Sequence, residues 1–431
     1  MSIFLNFMPI LLFITIFFGS GIYYTYQGVD QAFYQVPPTS AIIPSIIIAW
    51  ILHKKSTTET MNSFINGIRH PDIITMCIIF LLAGALGSVT KSIGSVESCV
   101  NFILNFTPSS LLLIGIFITS ALISTAIGTS MGTIAALASL ITELGNIGAF
   151  PLEIGAATLI GGAMFGDNMS VISDTTIAAV SSQGADLREK LKLNIKIALV
   201  ASLITIIYLS SINTPIIDIT DKEFSLLLIS PYILLILLAA IGINVFIVLI
   251  VALIYSGIIG ISTEHYSLLM FSKDIYKGFS DMNEILLLSM FIGGLSGLSN
   301  HNSKIIAEKI SKLLPINAGI KSAKFIIMLL VSLYNILLAN NVIAIIFSGE
   351  VAKEIAKKYN IKPHVSATIL DIFSCVIQGI IPYGAQVLLI CAIANISPLD
   401  VIGKIYYCYT LAVVTIIYIL LPKAKTCLVT A

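Results

Sequence analysis

The sequence predicts an all-α polytopic membrane protein of inverted repeats, with two re-entrant helical hairpins, two broken transmembrane helices and about ten crossings. Three observations predict it. Of 431 residues, 57% are hydrophobic and only 10% charged, with a mean hydropathy of +1.01, whereas soluble domains carry about 25% charged residues. Apolar runs of the roughly 20 residues that a crossing requires recur along the chain. Two long apolar stretches are broken by polar and glycine-containing segments, which an ordinary crossing helix does not tolerate.

The first run, MSIFLNFMPILLFITIFFGSGIYY, lacks the basic flank and the small-residue cleavage site of a signal peptide, so it is expected to be a retained span. Full crossings are expected near residues 3 to 20, 37 to 52, 72 to 90, 197 to 212, 225 to 241, 243 to 262, 284 to 299 and 400 to 421. Residues 109 to 183 and 319 to 396 are different: GTSMGT and GDNMSVISDTT interrupt the first, LANN and IPYGAQ the second. Each is read as a hairpin followed by one helix interrupted in its middle.

Charge sets the expected orientation, because Lys and Arg are enriched in cytoplasmic loops. With the N-terminus inside, most basic residues fall on the cytoplasmic side, among them Lys54, Lys55, Arg69, Arg188, Lys190, Lys192, Lys196, Lys304, Lys309, Lys312, Lys321, Lys324, Lys353, Lys357, Lys358, Lys362, Lys423 and Lys425. Lys91, Lys222, Lys273, Lys277 and Lys404 are left outside, with the acidic loop Asp218, Asp221, Glu223. Both termini are therefore expected in the cytoplasm of a bacterial cell, the chain lying in its inner membrane. The formal net charge of +1 offers no global field for a nucleic-acid partner. Six cysteines without CxxC spacing imply neither a disulfide framework nor a metal site, and five histidines in polar connecting segments read as solvated.

A shift of the chain against itself aligns Gly67-Ile68 with Gly278-Phe279, AGALGS (83 to 88) with GGLSGL (293 to 298), and the TSMGT break with the ANNVI break. The first unit begins inside and the second outside, so the repeats are inverted, as in many secondary transporters. The expected divisions are 1–64, N-terminal scaffold spans; 65–212, first repeat; 213–277, linking scaffold spans; 278–421, second repeat; and 422–431, a cytoplasmic tail. The pairs Gly84/Ser88 and Gly293/Gly297 have the spacing of helix-packing surfaces.

The chemistry lies at the breaks. A helix interrupted in a membrane frees carbonyl and N–H groups, which are tolerated only around a polar cavity or ion. Asp167, Asn168, Ser170, Ser173, Asp174, Thr175 and Thr176 put two carboxylates and five neutral oxygen-bearing side chains into one short stretch. Helix capping accounts for one aspartate. Two at membrane depth, at about 2.5 to 3.5 kcal/mol each on insertion scales, point to function. Hard monovalent cations take oxygen ligands, so Asp167, Asp174 and Asp371 are the expected Na⁺ carboxylates. The second unit contributes Asn340 and Asn341 at a hairpin tip, and Asp371, Ser374, Gln378, Tyr383 and Gln386 around its break. Asp371, Ser374 and Gln378 follow i, i+3, i+7 spacing on one helix face, expected to line the same cavity. The first hairpin tip offers Thr129, Ser130 and Thr133, and Glu143 and Glu153 flank the connection after it.

AMFGDNMSVISDTT, LANNVIAI, SATILDIFSCVIQGIIPYGAQ and ISPLDVIGKIYY closely resemble the NhaC family of Na⁺/H⁺ antiporters, within the wider ion-transporter superfamily, over roughly residues 65 to 421. The resemblance implies a cation antiporter with Na⁺ and H⁺ as transported ions and no cofactor. It also implies a static scaffold beside a mobile transport part, and a homodimer in membrane lipid. Two departures stand out: the family's first motif usually has a basic residue where Asn168 stands and a proline where Val171 stands. Relatives that resemble exchangers of small organic acids or amino acids make a coupled organic solute the alternative substrate.

Other classes fit less well. An intramembrane aspartyl protease requires Gly-x-Gly-Asp, but Met164-Phe165-Gly166-Asp167 lacks the first glycine, and no Tyr-Asp partner occurs in a span. No TVGYG filter and no GxxxxGK[ST] phosphate loop is present. The expectation is therefore a secondary transporter and not an enzyme.

Overall fold

The computed structural model describes residues 3–29, 35–214, 223–263, 266–299 and 319–421. Asp218, Asp221, Lys222, Lys304, Lys309, Lys312, Lys423, Lys425, His265, His301, Cys427 and the expected 422–431 tail lie outside them. All regular structure among the described residues is helical. α1 (Ile3–Tyr26), α2 (Pro38–Ala41), α3 (Ile43–His53) and α4 (Thr57–Ile68) precede α5 (Pro71–Ser92) and α6 (Ser95–Phe106). α7 (Leu112–Ile127), α8 (Ser130–Asn146), α9 (Leu152–Met169), α10 (Asp174–Gln183) and α11 (Leu187–Ser210) follow, then α12 (Leu226–Ala240), α13 (Val245–Ser262), α14 (Leu268–Asp281) and α15 (Asn283–Ser299). The last group is α16 (Ile320–Leu338), α17 (Asn341–Lys358), α18 (Pro363–Ile380), α19 (Ala385–Ala394), α20 (Pro398–Ile402) and α21 (Tyr406–Leu420).

Six helical stretches among the described residues are long and apolar enough to cross a bilayer: Pro71–Ser92, Ser109–Ile127, Leu187–Ser210, Val245–Ser262, Ile320–Leu338 and Pro363–Ala394. Shorter apolar helices include Met8–Tyr24, Leu226–Ala240 and Tyr406–Leu420. Ser109–Ile127 and Ile320–Leu338 are the first arms of the expected hairpins, yet at 19 residues each they have the length of a full crossing. α11, α12 and α13 leave Leu199, Leu203, Ile207, Leu237, Ile254 and Ile258 exposed. Apolar faces this broad are solvated by hydrocarbon and not by water. The chain is a multi-pass membrane protein.

Two close helix pairings organise the bundle. α4 lies on α15 and α5 on α14. A Cβ on Gly67 would run into the Gly293 carbonyl, one on Gly297 into the Ser63 carbonyl, and one on Gly278 into the Gly84 carbonyl. Glycine thus lets the backbones touch, which is how small-residue surfaces pack in membranes.

α7 and α8 form a pair joined at Gly128, whose φ of +80° permits the reversal. α16 and α17 form a second pair joined at Ala339, which adopts φ +49° despite its Cβ. The first pair packs on α9 and the second on α18. Packing also crosses between the groups, because α10 lies on α17 while α19 lies on α8. The helix ends that flank the two breaks, residues 170–173 and 381–384, are thereby brought near one another.

One solvated reading is corrected, and one lysine of the basic-residue count is buried. His53 is not solvated: it is buried at the end of α3, with Nδ1 3.2 Å from the Leu298 carbonyl. Lys190, expected in a cytoplasmic segment, sits fully buried in the first turn of α11. It lies at the polar edge of an apolar run, and its partner comes from α18.

Candidate functional site

Asp167 is the centre of the arrangement. It lies in the last turn of α9, where the interruption leaves carbonyls without helical partners, and it is 4% exposed. Ser130, the first residue of α8 at the hairpin tip, donates its hydroxyl to Asp167 Oδ2 at 2.7 Å. Ser173, in the break, donates to Oδ1. Ser173 Oγ also stands 2.9 Å from Thr175 Oγ1. Both carboxylate oxygens are therefore held by neutral hydroxyls, and no cationic side chain among the described residues is bonded to either.

A chain of amides connects this carboxylate to the second group of helices. Gln386 Nε2 donates to Ser130 Oγ at 3.2 Å, and Gln378 Nε2 donates to Gln386 Oε1 at 3.0 Å and to the Ala339 carbonyl at 3.2 Å. The tip of the second pair is thus bonded, through Gln378, Gln386 and Ser130, to Asp167. Gln378 Oε1 is buried and makes no hydrogen bond.

These residues open on a cavity of about 90 Å³ that includes Asp72, Thr129, Ser130, Asp167, Asp174, Thr175, Asn340, Asn341, Gln378 and Gln386 in its wall. Asp174, at the start of α10, is exposed and makes no direct bond to Asp167; with the half-buried Asp72 it places two further carboxylates at the cavity. Asn340 serves as a helix cap, Oδ1 accepting from Ile343 N at 2.9 Å, and Asn341 Oδ1 accepts from Val342 N at 3.1 Å. Ser170 Oγ likewise accepts from Ile172 N at 3.3 Å.

The expected stripe on α18 divides. Gln378 reaches the cavity, but Asp371 turns away from it, with Lys190 Nζ 2.7 Å and Asn194 Nδ2 2.8 Å from its Oδ2. Ser374 Oγ donates to the Asp371 carbonyl at 2.8 Å, and its own carbonyl accepts from Asn335 Nδ2 at 2.5 Å. Lys190 also donates to Thr176 Oγ1 at 2.7 Å, and Asn194 to the Asn168 carbonyl at 3.0 Å. Asn168, in the last turn of α9, is fully buried. Tyr383 is directed elsewhere, its hydroxyl on the Ile336 carbonyl at 2.8 Å and its ring edge-on to Phe13. Glu143 pairs with Lys91 at 3.6 Å and Glu153 with Lys404 at 2.8 Å, away from the cavity.

Sequence reasoning missed Lys190 and Asn194. Their spacing of four places both on one face of α11, a polar pair ahead of an apolar run, and that is the signal they carried.

Comparison with known proteins adds identity to this geometry. A family model described as the Na⁺/H⁺ antiporter family matches residues 2–213, which include the Asp167 break. The chain is 26% identical over 387 residues to the Na⁺/H⁺ antiporter NhaC of Bacillus subtilis, covering 82% of this chain and 84% of that protein. It is 28% identical over 178 residues to a malate-2H⁺/Na⁺-lactate antiporter of the same organism, a match that spans 41% of this chain and only 38% of the relative. Among solved structures, the YdaH transporter of Alcanivorax borkumensis aligns at a TM-score of 0.43 and 14% identity, over 84% of this chain and 86% of that one. The family match over residues 2–213 and an NhaC relative aligned along most of the chain's length support an antiporter similar to the NhaC type.

Proposed function

We propose that the chain exchanges Na⁺ for H⁺ across the inner membrane, with Asp167 as the carboxylate that both cations use in turn. One observation carries this reading: Asp167 is buried between two serine hydroxyls, at a helix break, on a polar cavity, with no cationic side chain of the described residues bonded to it. A carboxylate so placed requires a positive charge or a proton when its cavity closes. Ser130, Ser173 and Thr175 supply neutral oxygens suited to a hard cation, and Asp174 and Asp72 draw cations toward the mouth. Protons and Na⁺ then exclude one another because they compete for the same oxygens.

The architecture proposed with this function is a pair of inverted repeats, residues 65–212 and 278–421, each with a re-entrant hairpin and a broken helix. The reciprocal packing of α10 on α17 and α19 on α8 supports it. Residues 1–64 and 213–277 serve as scaffold, both termini face the cytoplasm, and the chain works as a homodimer. The test uses purified protein in proteoliposomes under an imposed Na⁺ gradient. Asp167→Asn abolishes Na⁺-driven proton movement, and Asp174→Asn raises the Na⁺ concentration required. Undiminished exchange in the Asp167→Asn variant and in the double variant would overturn the assignment.

A second reading, Na⁺- or H⁺-coupled exchange of a small organic acid or amino acid, is favoured by the likeness to the malate/lactate antiporter. Na⁺, Li⁺ and K⁺ set against a pH gradient, with and without such solutes, separate the two. Proton flux driven by Na⁺ alone supports the first, and a strict requirement for solute supports the second.

A further inference from the structure

Besides His53, four ionisable acidic or basic side chains are buried among the described residues: Asp167, Lys190, Lys324 and Asp371. Lys324 lies apart, its Nζ 5.0 Å from the centre of the Tyr418 ring. The remaining three share the core with the broken helices. Asp167 is held by the neutral groups of Ser130 and Ser173, whereas Asp371 has Lys190 at 2.7 Å, with both side chains fully buried.

The surroundings of the Lys190 nitrogen are those of a cation site. It has the Asp371 carboxylate on one side and Thr176 Oγ1 on another, each at 2.7 Å. Asn194 braces the site by donating both to Asp371 and to the Asn168 carbonyl at the end of α9. Carboxylate and hydroxyl oxygens at a helix break are the donors that a hard monovalent cation uses. Here the occupant is an ammonium on a flexible stem anchored in α11. Asp371 Oδ1 makes no hydrogen bond, so the carboxylate has an oxygen free should the ammonium be removed.

We infer that Lys190 is a tethered cation that permanently fills the place at Asp371, leaving Asp167 as the single buried carboxylate open to a cation and so setting the carrier to one Na⁺ per cycle. The inference rests on the reading of Asp167 as the exchange site. Its basis is charge. Two buried carboxylates and one ammonium leave a core of one net negative charge, which one Na⁺ neutralises. Uncompensated charge in a membrane interior is costly, so without Lys190 the same core calls for two cations. Lys190 is a positioning and stoichiometry-determining residue, not one that touches the transported ion.

The test counts bound ²²Na⁺ on the purified full-length chain in nanodiscs. Wild type is expected to bind one Na⁺ per chain, with a hyperbolic concentration dependence. Lys190→Met is expected to bind two, with a sigmoidal dependence. Lys190→Met combined with Asp371→Asn, which removes both charges and leaves no unpaired one, returns to one. If the single variant does not fold, the double variant decides: one Na⁺ supports the inference, and none or two overturns it. Two Na⁺ on wild type, or one on a folded Lys190→Met, overturns the inference and leaves the Asp167 reading standing. No Na⁺ on wild type or any folded variant overturns both.

Discussion

At the scale of single residues, the proposed role of Asp167 makes the hydroxyls around it the groups that set how strongly a cation is held. Ser130 bonds the carboxylate and is itself held by Gln386, and a hydrogen bond to a charged group is worth about 1.5 to 3 kcal/mol. Ser130→Ala should therefore raise the half-saturating Na⁺ concentration roughly ten- to a hundredfold while leaving the protein folded, as Na⁺-titrated exchange in proteoliposomes measures. In both proteins that concentration should climb as the pH falls, because protons occupy the same oxygens. Asp167, Ser173 and Ser130 were legible in the sequence because oxygen-rich side chains inside an apolar run have few roles besides capping. Lys190 was not. A lysine at the edge of a span reads as solvated when counted by local composition, and its burial is decided by an aspartate on a helix far along the chain. Asp371 was legible as unusual, but its direction was not, because a helical stripe says which residues share a face and not what that face meets.

At the scale of helices, the two hairpin tips solve the same reversal with different residues. Gly128 turns at φ +80°, and a Cβ there would stand 2.6 Å from Ile172 Cγ1 in the facing break. Gly128→Ala adds that clash to a left-handed cost of about 1 to 2 kcal/mol. It should lower the melting temperature in detergent and impair exchange, since Ile172 is one residue from Ser173. Ala339 already occupies the left-handed region at φ +49°. Ala339→Gly relieves that strain at the expense of greater unfolded-chain freedom, so its net effect should lie between neutral and about 1 kcal/mol stabilising. A loss of stability in Ala339→Gly as large as in Gly128→Ala would contradict the account. The breaks themselves were readable, because glycine, asparagine and serine interrupt otherwise continuous apolar runs. The length of the arms was harder to read. Ser109–Ile127 and Ile320–Leu338 have the composition of crossings, and only their pairing with α8 and α17 sets them apart.

At the scale of the whole molecule, what moves should be the part that carries the polar residues. The hairpin tips and breaks meet at one cavity, whereas α12 and α13 present apolar faces to lipid with few polar side chains between them. Small-residue contacts such as Gly84 against Gly278 bring the backbones of α5 and α14 together with no room for a larger side chain. A cysteine reporter separates a moving transport part from a fixed site with local gating. Ser130 is unsuitable because it holds Asp167, but Thr129 is half-buried on the cavity wall and makes no side-chain cap to its helix. The background must lack the native cysteines and retain exchange; the five described ones are buried and unpaired, so their removal has to be checked for packing losses. A cysteine at Thr129 should then change its labelling from the two membrane faces as Na⁺ and pH are varied, protected on one side and exposed on the other in turn. A cysteine at Ile46 on α3 should label equally in every condition. Labelling at Thr129 from one face only, unaffected by Na⁺ and pH while exchange proceeds, would mean that the hairpin stays in place and that access alternates through side-chain gates beside Asp167.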